Sequence, residues 1–172
     1  MRLAFGAPLG NSVSNTPAGT DALVGFPIWV DVGYRFLRHY YVGGFVEWAI
    51  LLVPNTCPNT CYDTRFGIEA EYHGESARSD PWFGVGAGYE IFHAGGNGDT
   101  LVYRGWELLN LEGGIDFFGD RKAFGVGPFM AVSFGQYDHV HTTAGNTGGS
   151  ADVQNIALHE WVILGARGQY NL

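Results

Sequence analysis

The stretch Arg65-Phe66-Gly67-Ile68-Glu69-Ala70-Glu71-Tyr72 alternates apolar side chains with charges and a glycine. Successive side chains of a strand point to opposite faces, so Phe66, Ile68, Ala70 and Tyr72 share one side while Arg65, Glu69 and Glu71 share the other. The same period of two recurs along the chain. Val30, Val32, Tyr34 and Phe36 alternate with Trp29, Asp31, Gly33 and Arg35, and Val42, Val46, Trp48 and Ile50 with Tyr41, Gly43, Phe45 and Glu47. Further on, Phe83, Val85, Ala87, Tyr89 and Ile91 oppose three glycines and Glu90, and Leu109, Leu111, Ile115 and Phe117 oppose Asn110, Glu112, Gly114 and Asp116. Val126, Pro128, Met130, Val132 and Phe134 oppose small residues, and Val162, Leu164 and Ala166 oppose Gly165 and Arg167.

Turn residues divide the pattern into eight predicted strands: Arg2 to Gly10, Phe26 to Leu37, Tyr40 to Val53, Thr64 to His73, Trp82 to His93, Leu101 to Phe118, Ala123 to His139 and Val153 to Leu172. Pro8 makes the first the weakest, and Pro128 predicts a bulge in the seventh, because proline cannot donate to a ladder. The stretches Ala94 to Thr100 and His141 to Asp152 read as glycine-rich loops. No helical period of useful length is present.

Bulky aromatics stand on the apolar side and glycines or charges opposite, all along the chain. That arrangement predicts a sheet with its apolar face outward in lipid around a small polar interior, as in an eight-stranded antiparallel up-and-down transmembrane β-barrel. Connections after odd strands are mostly long and two of those after even strands are very short, which matches the two rims of such a barrel. The chain of 172 residues is read as a single domain, 1–172.

Composition sharpens this picture. Charged residues make up 15% against about 25% in ordinary soluble domains, and glycine reaches 27 residues. The net charge of −8 argues against nucleic acid as a partner. No apolar run is long enough for a helical span. Met1-Arg2-Leu3 runs straight into patterned sequence, so an exported form is expected to have lost its leader.

The candidate chemistry lies on the polar face. It carries Asp31, Glu47, Glu69, Glu71, Glu90, Glu112 and Asp116 against Arg35, Arg65, Arg104 and Arg167. Isolated charges inside a narrow barrel would be costly, so these are expected to pair across it as a structural plug, the alternative being a proton or ion path. Carboxylates outnumber arginines seven to four, which calls for a proton or a water on at least one of them. Cys57-Pro58-Asn59-Thr60-Cys61 describes a tight loop that a Cys57–Cys61 disulfide would close in an oxidising compartment; free thiols are the alternative, and two thiolates make an incomplete metal site. His139 and His141 share one side of a strand end, either an exposed rim or a metal pair. Ser133 and His159-Glu160 lack the surroundings of a hydrolase triad, since His159 and Glu160 face opposite ways. Of the tryptophans, only Trp48 is placed firmly on the lipid side. No enzyme activity, cofactor or metal is expected.

Gly33-Tyr34-Arg35-Phe36, Gly84-Val85-Gly86-Ala87-Gly88-Tyr89 and Leu164-Gly165-Ala166-Arg167-Gly168-Gln169-Tyr170 resemble strands of the small outer-membrane β-barrel proteins of Gram-negative bacteria. The cysteine loop with Leu158-His159-Glu160-Trp161 is most similar to uncharacterised myxobacterial members. The resemblance implies a location in the bacterial outer membrane, with membrane lipid and the barrel assembly machinery as partners. Many members end on an aromatic residue; this chain ends Tyr170-Asn171-Leu172, with Tyr170 two positions away on the same face. Three functions are carried forward. The first is a non-enzymatic barrel with no wide pore, acting through its place in the membrane, its outer loops or a larger assembly. The second is porin-like passage of small hydrophobic molecules, sought at Pro128 and the seventh strand. The third is a soluble lipocalin-like calyx, which needs the aromatic face inside.

Overall fold

A computed structural model describes residues 1–13, 16–17, 24–52, 60–74, 78–96, 98–119, 123–145, 147–154 and 156–170. In these residues every regular element is a strand: β1 (Arg2–Val13), β2 (Thr16–Pro17), β3 (Val24–Phe36), β4 (Tyr40–Leu52), β5 (Thr60–His73), β6 (Ser79–Gly96), β7 (Asp99–Phe118), β8 (Phe124–Ala144), β9 (Thr147–Asp152) and β10 (Leu158–Tyr170). All pairings are antiparallel. β10 joins both β8 and β1, so the sheet closes into a ring in the order β1, β3, β4, β5, β6, β7, β8, β10. The short β2 pairs with β1, and β9 extends the sheet from β8.

Each of the eight expected segments contains a strand, and several run further than turn residues suggested. Ala94 to Thr100 is largely strand: β6 and β7 continue to the pair Gly96–Asp99, and Gly98 takes a φ of 94°. His141 to Asp152 is likewise a hairpin, with β8 reaching Ala144 and β9 returning from Thr147 around Gly145 at φ 56°. Glycine and serine carry no apolar alternation, so β9 left no pattern to read. The cysteine loop lies mostly outside the described residues; Cys57 is among those omitted, while Cys61 is buried.

The alternation separates two environments. Glu47, Arg65, Glu69, Glu71, Glu90, Glu112 and Arg167 are buried within the ring, together with Trp29, Phe45, Trp82, Phe129 and Trp161. Val32, Tyr34 and Ile68 on the opposite face are 76%, 74% and 71% exposed. Inward glycines serve close approach. Gly33 and Gly43 are cross-strand partners, and the Tyr41 ring lies over both where a Cβ on either would collide with it.

Pro128 produces no bulge. It pairs in register with Ala166 of β10, and the β7–β8 register is the same on both sides of it, with the ladder interrupted at residues 115–116. The missing donor removes ladder contacts without inserting a residue. The actual irregularities are elsewhere. Leu108 is an extra residue in β7, where Glu107 pairs with Gly135 and Leu109 with Phe134. Asp138 is an extra residue in β8, between the pairs Gly105–Tyr137 and Arg104–His139. Leu108 reverses the facing of β7 above it, turning Trp106 and Arg104 outward and Glu107 inward.

The β3–β4 hairpin turns through residues 37–39 with Leu37 and Arg38 at φ 52° and 63°, a left-handed pair that branched or bulky side chains disfavour. Replacing the pair by Asn-Gly (Leu37→Asn with Arg38→Gly) is expected to stabilise the fold by about 1 kcal/mol. The check is the denaturant midpoint followed by tryptophan fluorescence.

Candidate functional site

The chemistry-bearing side chains gather inside the ring in two connected groups. At the end where β1 begins and β10 finishes, Arg2 projects inward from β1. Its guanidinium donates to Glu69 of β5 at 3.1 and 3.2 Å, to Glu71 at 3.0 Å and to Glu112 of β7, while its Nε lies 3.4 Å from Asp31 of β3. Arg167 of β10 makes a two-pronged contact with Glu71, at 2.9 and 2.8 Å, and approaches Asp116 at 3.8 Å. Planar guanidinium is suited to such shared and forked contacts. At the rim, His73 stands between Glu71 and Asp80, 2.9 Å from each, and Arg35 donates to Asp80 at 3.2 Å.

The second group lies further along the interior. Arg65 of β5 reaches Asp63 at 2.9 Å, Glu90 of β6 at 3.2 Å, and Glu47 and Glu107 at 3.8 Å, and it donates to the Ser133 hydroxyl at 3.2 Å. Glu90 also accepts from the Tyr137 hydroxyl at 2.9 Å and contacts His159 Nε2 at 2.8 Å. Tryptophans floor the cations: Arg2 lies 4.3 Å from the Trp29 ring, Arg167 4.2 Å from Trp82 and Arg65 5.1 Å from Trp161. Desolvated cations gain from such ring faces.

Ten of the eleven residues expected inside are therefore brought together: Asp31, Arg35, Glu47, Arg65, Glu69, Glu71, Glu90, Glu112, Asp116 and Arg167. Arg104 is the exception. It is exposed on the outward face, because the extra residue Leu108 shifts the phase of β7. The same shift places Glu107 inside and Trp106, 53% exposed, on the outer face, which also carries Trp48. Sequence reading also missed Arg2, Asp63, His73 and Asp80. Arg2 sits in the strand that Pro8 obscured, and the others continue the inward phase of β5 and β6, the signal that would have found them.

The arrangement brings together residue types that also occur in catalytic and metal-binding sets. The carboxylates of Glu69, Glu71 and Glu112 approach one another closely enough to share an ion, and the Arg2 guanidinium occupies that position. Ser133 is engaged by Arg65 and His159 by Glu90, and both are buried. A hydrolase nucleophile and base need a common face open to substrate, and these have none.

Arg2→Met removes the cation shared by three buried carboxylates. A loss of about 3–5 kcal/mol is expected, the range for breaking a buried pair from one side. Arg104→Met, on the outer face, is expected to change stability little. Denaturant unfolding in detergent compares the two, and equal small effects would contradict the role given to Arg2. Neither a protein-family model nor a curated protein matches this chain.

Proposed function

We propose that the ring is an eight-stranded up-and-down transmembrane β-barrel of the bacterial outer membrane, non-enzymatic, acting through its presence in the bilayer and its outer loops. The observation that carries this reading is the inversion of the two faces. Buried carboxylates and guanidiniums fill the inside, while large apolar side chains line the outside of strand after strand. Soluble proteins rarely expose continuous apolar surface on this scale, and a lipid-facing wall requires it.

Aromatic side chains edge the outer band. Phe66, Tyr89 and Trp106 form one row, with ring centroids 5.9 and 5.3 Å apart. Near the opposite rim Phe36, Tyr40 and Tyr72 make contacts at 5.7 and 5.5 Å, and exposed Phe83, Phe117, Phe124 and Tyr170 stand at the same end of their strands. From Tyr62 to Tyr72, β5 covers about 33 Å, or about 25 Å normal to a bilayer at the usual strand tilt. That is the height of the apolar band in outer-membrane barrels. In this reading the barrel assembly machinery is the partner for insertion.

The filled interior favours a scaffold over passage of small hydrophobic molecules, which needs an apolar route through the wall. A soluble calyx would need the aromatic face inside, where the ion pairs are. The Cys57–Cys61 disulfide expected from the sequence belongs to the same proposal, since an oxidising compartment would allow it to form.

The decisive variant is Ile68→Lys, in the middle of the outer band. In a bilayer it is expected to cost about 2–4 kcal/mol, whereas an exposed site in water tolerates it within about 0.5 kcal/mol. Unfolding of the variant and the parent in lipid vesicles gives the difference. The parent is also expected to partition into detergent and to migrate as a compact form in SDS until heated. A monomer stable in buffer without detergent would overturn the proposal.

A further inference from the structure

Above the Phe66–Tyr89–Trp106 row the outer wall carries a depression of about 580 Å³. Its polar lining comes from Arg104, His139, His141, Ser150 and Asp152, with Tyr89 at its edge. Register explains why they meet. Arg104 of β7, His139 of β8 and Asp152 of β9 are successive cross-strand partners, and Val102, His141 and Ser150 form the next row. The two extra residues, Leu108 and Asp138, keep both rows on the outward face.

Below this depression the outward side chains are apolar, Leu108, Leu109 and Met130 among them. If the chain is the outer-membrane barrel proposed above, the depression therefore opens sideways at the level where lipid headgroups begin. Among the described residues Arg104 has no ion pair and no side-chain hydrogen bond. A guanidinium at that level pairs most favourably with phosphate. The rest of the lining is of another kind. His139 Nδ1 lies 2.7 Å from the Asp152 carboxylate, and His141 Nδ1 lies 2.7 Å from the Ser150 hydroxyl. A carboxylate in the lining disfavours a bare anion, whereas a mixture of donors and acceptors beside an aromatic ring suits sugar hydroxyls, which both donate and accept.

We propose that this depression binds the phosphorylated sugar headgroup of an outer-leaflet glycolipid. Arg104 takes the phosphate, and His139, His141, Ser150 and Asp152 take the sugar hydroxyls. The inference rests on the outer-membrane reading and adds a ligand to it.

The test uses the full chain in detergent, with bound lipid measured by native mass spectrometry. The probes are bisphosphorylated lipid A, its dephosphorylated form, phosphatidylglycerol and inorganic phosphate. The parent is expected to prefer bisphosphorylated lipid A over both other lipids by about tenfold, the scale of one charge-assisted hydrogen bond. Arg104→Ala is expected to abolish the preference for phosphate, and Arg104→Lys to keep part of it. Asp152→Asn is expected to weaken both glycolipids alike. Equal binding by the parent and Arg104→Ala would overturn the proposal. So would equal binding of phosphatidylglycerol, which would indicate an unspecific anionic annulus, or displacement by inorganic phosphate at millimolar concentration, which would assign the site to free phosphate. The same preparations are run in SDS with and without heating. A parent that shows the compact form yet no glycolipid preference sinks this inference alone, and one without the compact form sinks the membrane reading as well.

Discussion

Arg2 and Arg167 are cross-strand partners, so ring closure sets two guanidiniums side by side in a space that excludes water. Like charges placed this way repel, and removing each from water costs several kcal/mol even after relaxation. The surrounding strands answer that demand. Glu71 accepts from both arginines, Glu69 and Glu112 close on Arg2, and Asp31 and Asp116 flank the pair. These carboxylates come from β3, β5 and β7, so satisfying two cations holds strands on several sides of the ring to one register. A slip of one residue in any of them would carry its carboxylates to the outer face.

The Leu108 bulge has consequences on both faces at once. Inside, it supplies Glu107 to the group around Arg65. Outside, it supplies Trp106 to the aromatic row and Arg104 to the polar rows above. A strictly alternating β7 would have directed an indole and a guanidinium into an interior already occupied by Trp161, Tyr137 and Phe92. One inserted residue thus re-aims the upper half of the strand.

What was legible in the sequence follows from the same physics. A strand with strict alternation, such as β5, reveals both faces because most of its inward residues are charged or small. β7 looked equally regular, but a bulge leaves no mark when apolar residues adjoin it, as Leu108 adjoins Leu109. Strict alternation therefore points Arg104 inward, and the bulge turns it outward. The β8–β9 hairpin has the sequence of a loop, because Gly148, Gly149 and Ser150 have no apolar face to display. Pro128 was expected to distort its strand, yet an outward proline in a ladder bonded on its other side needs no extra residue. The interior partnerships were foreseen as a kind of pairing, since buried charges must be met; which carboxylate meets which arginine depends on shear and register, and these appear only in three dimensions.

The bond between the Met1 amino group and the Gly168 carbonyl joins positions 167 apart in the chain, beside the ladder that unites β1 with β10. Contacts of such separation form late, after the entropy of the intervening loop has been spent. Without the β1–β10 ladder the same strands would make an open sheet with one charged face, one greasy face and two bare edges. Water rejects the greasy face, and lipid rejects the charged face and the edges. In the outer-membrane reading proposed above, a partly made wall has no solvent of its own, and closure coincides with entry into the bilayer or takes place against a protein that shields those edges.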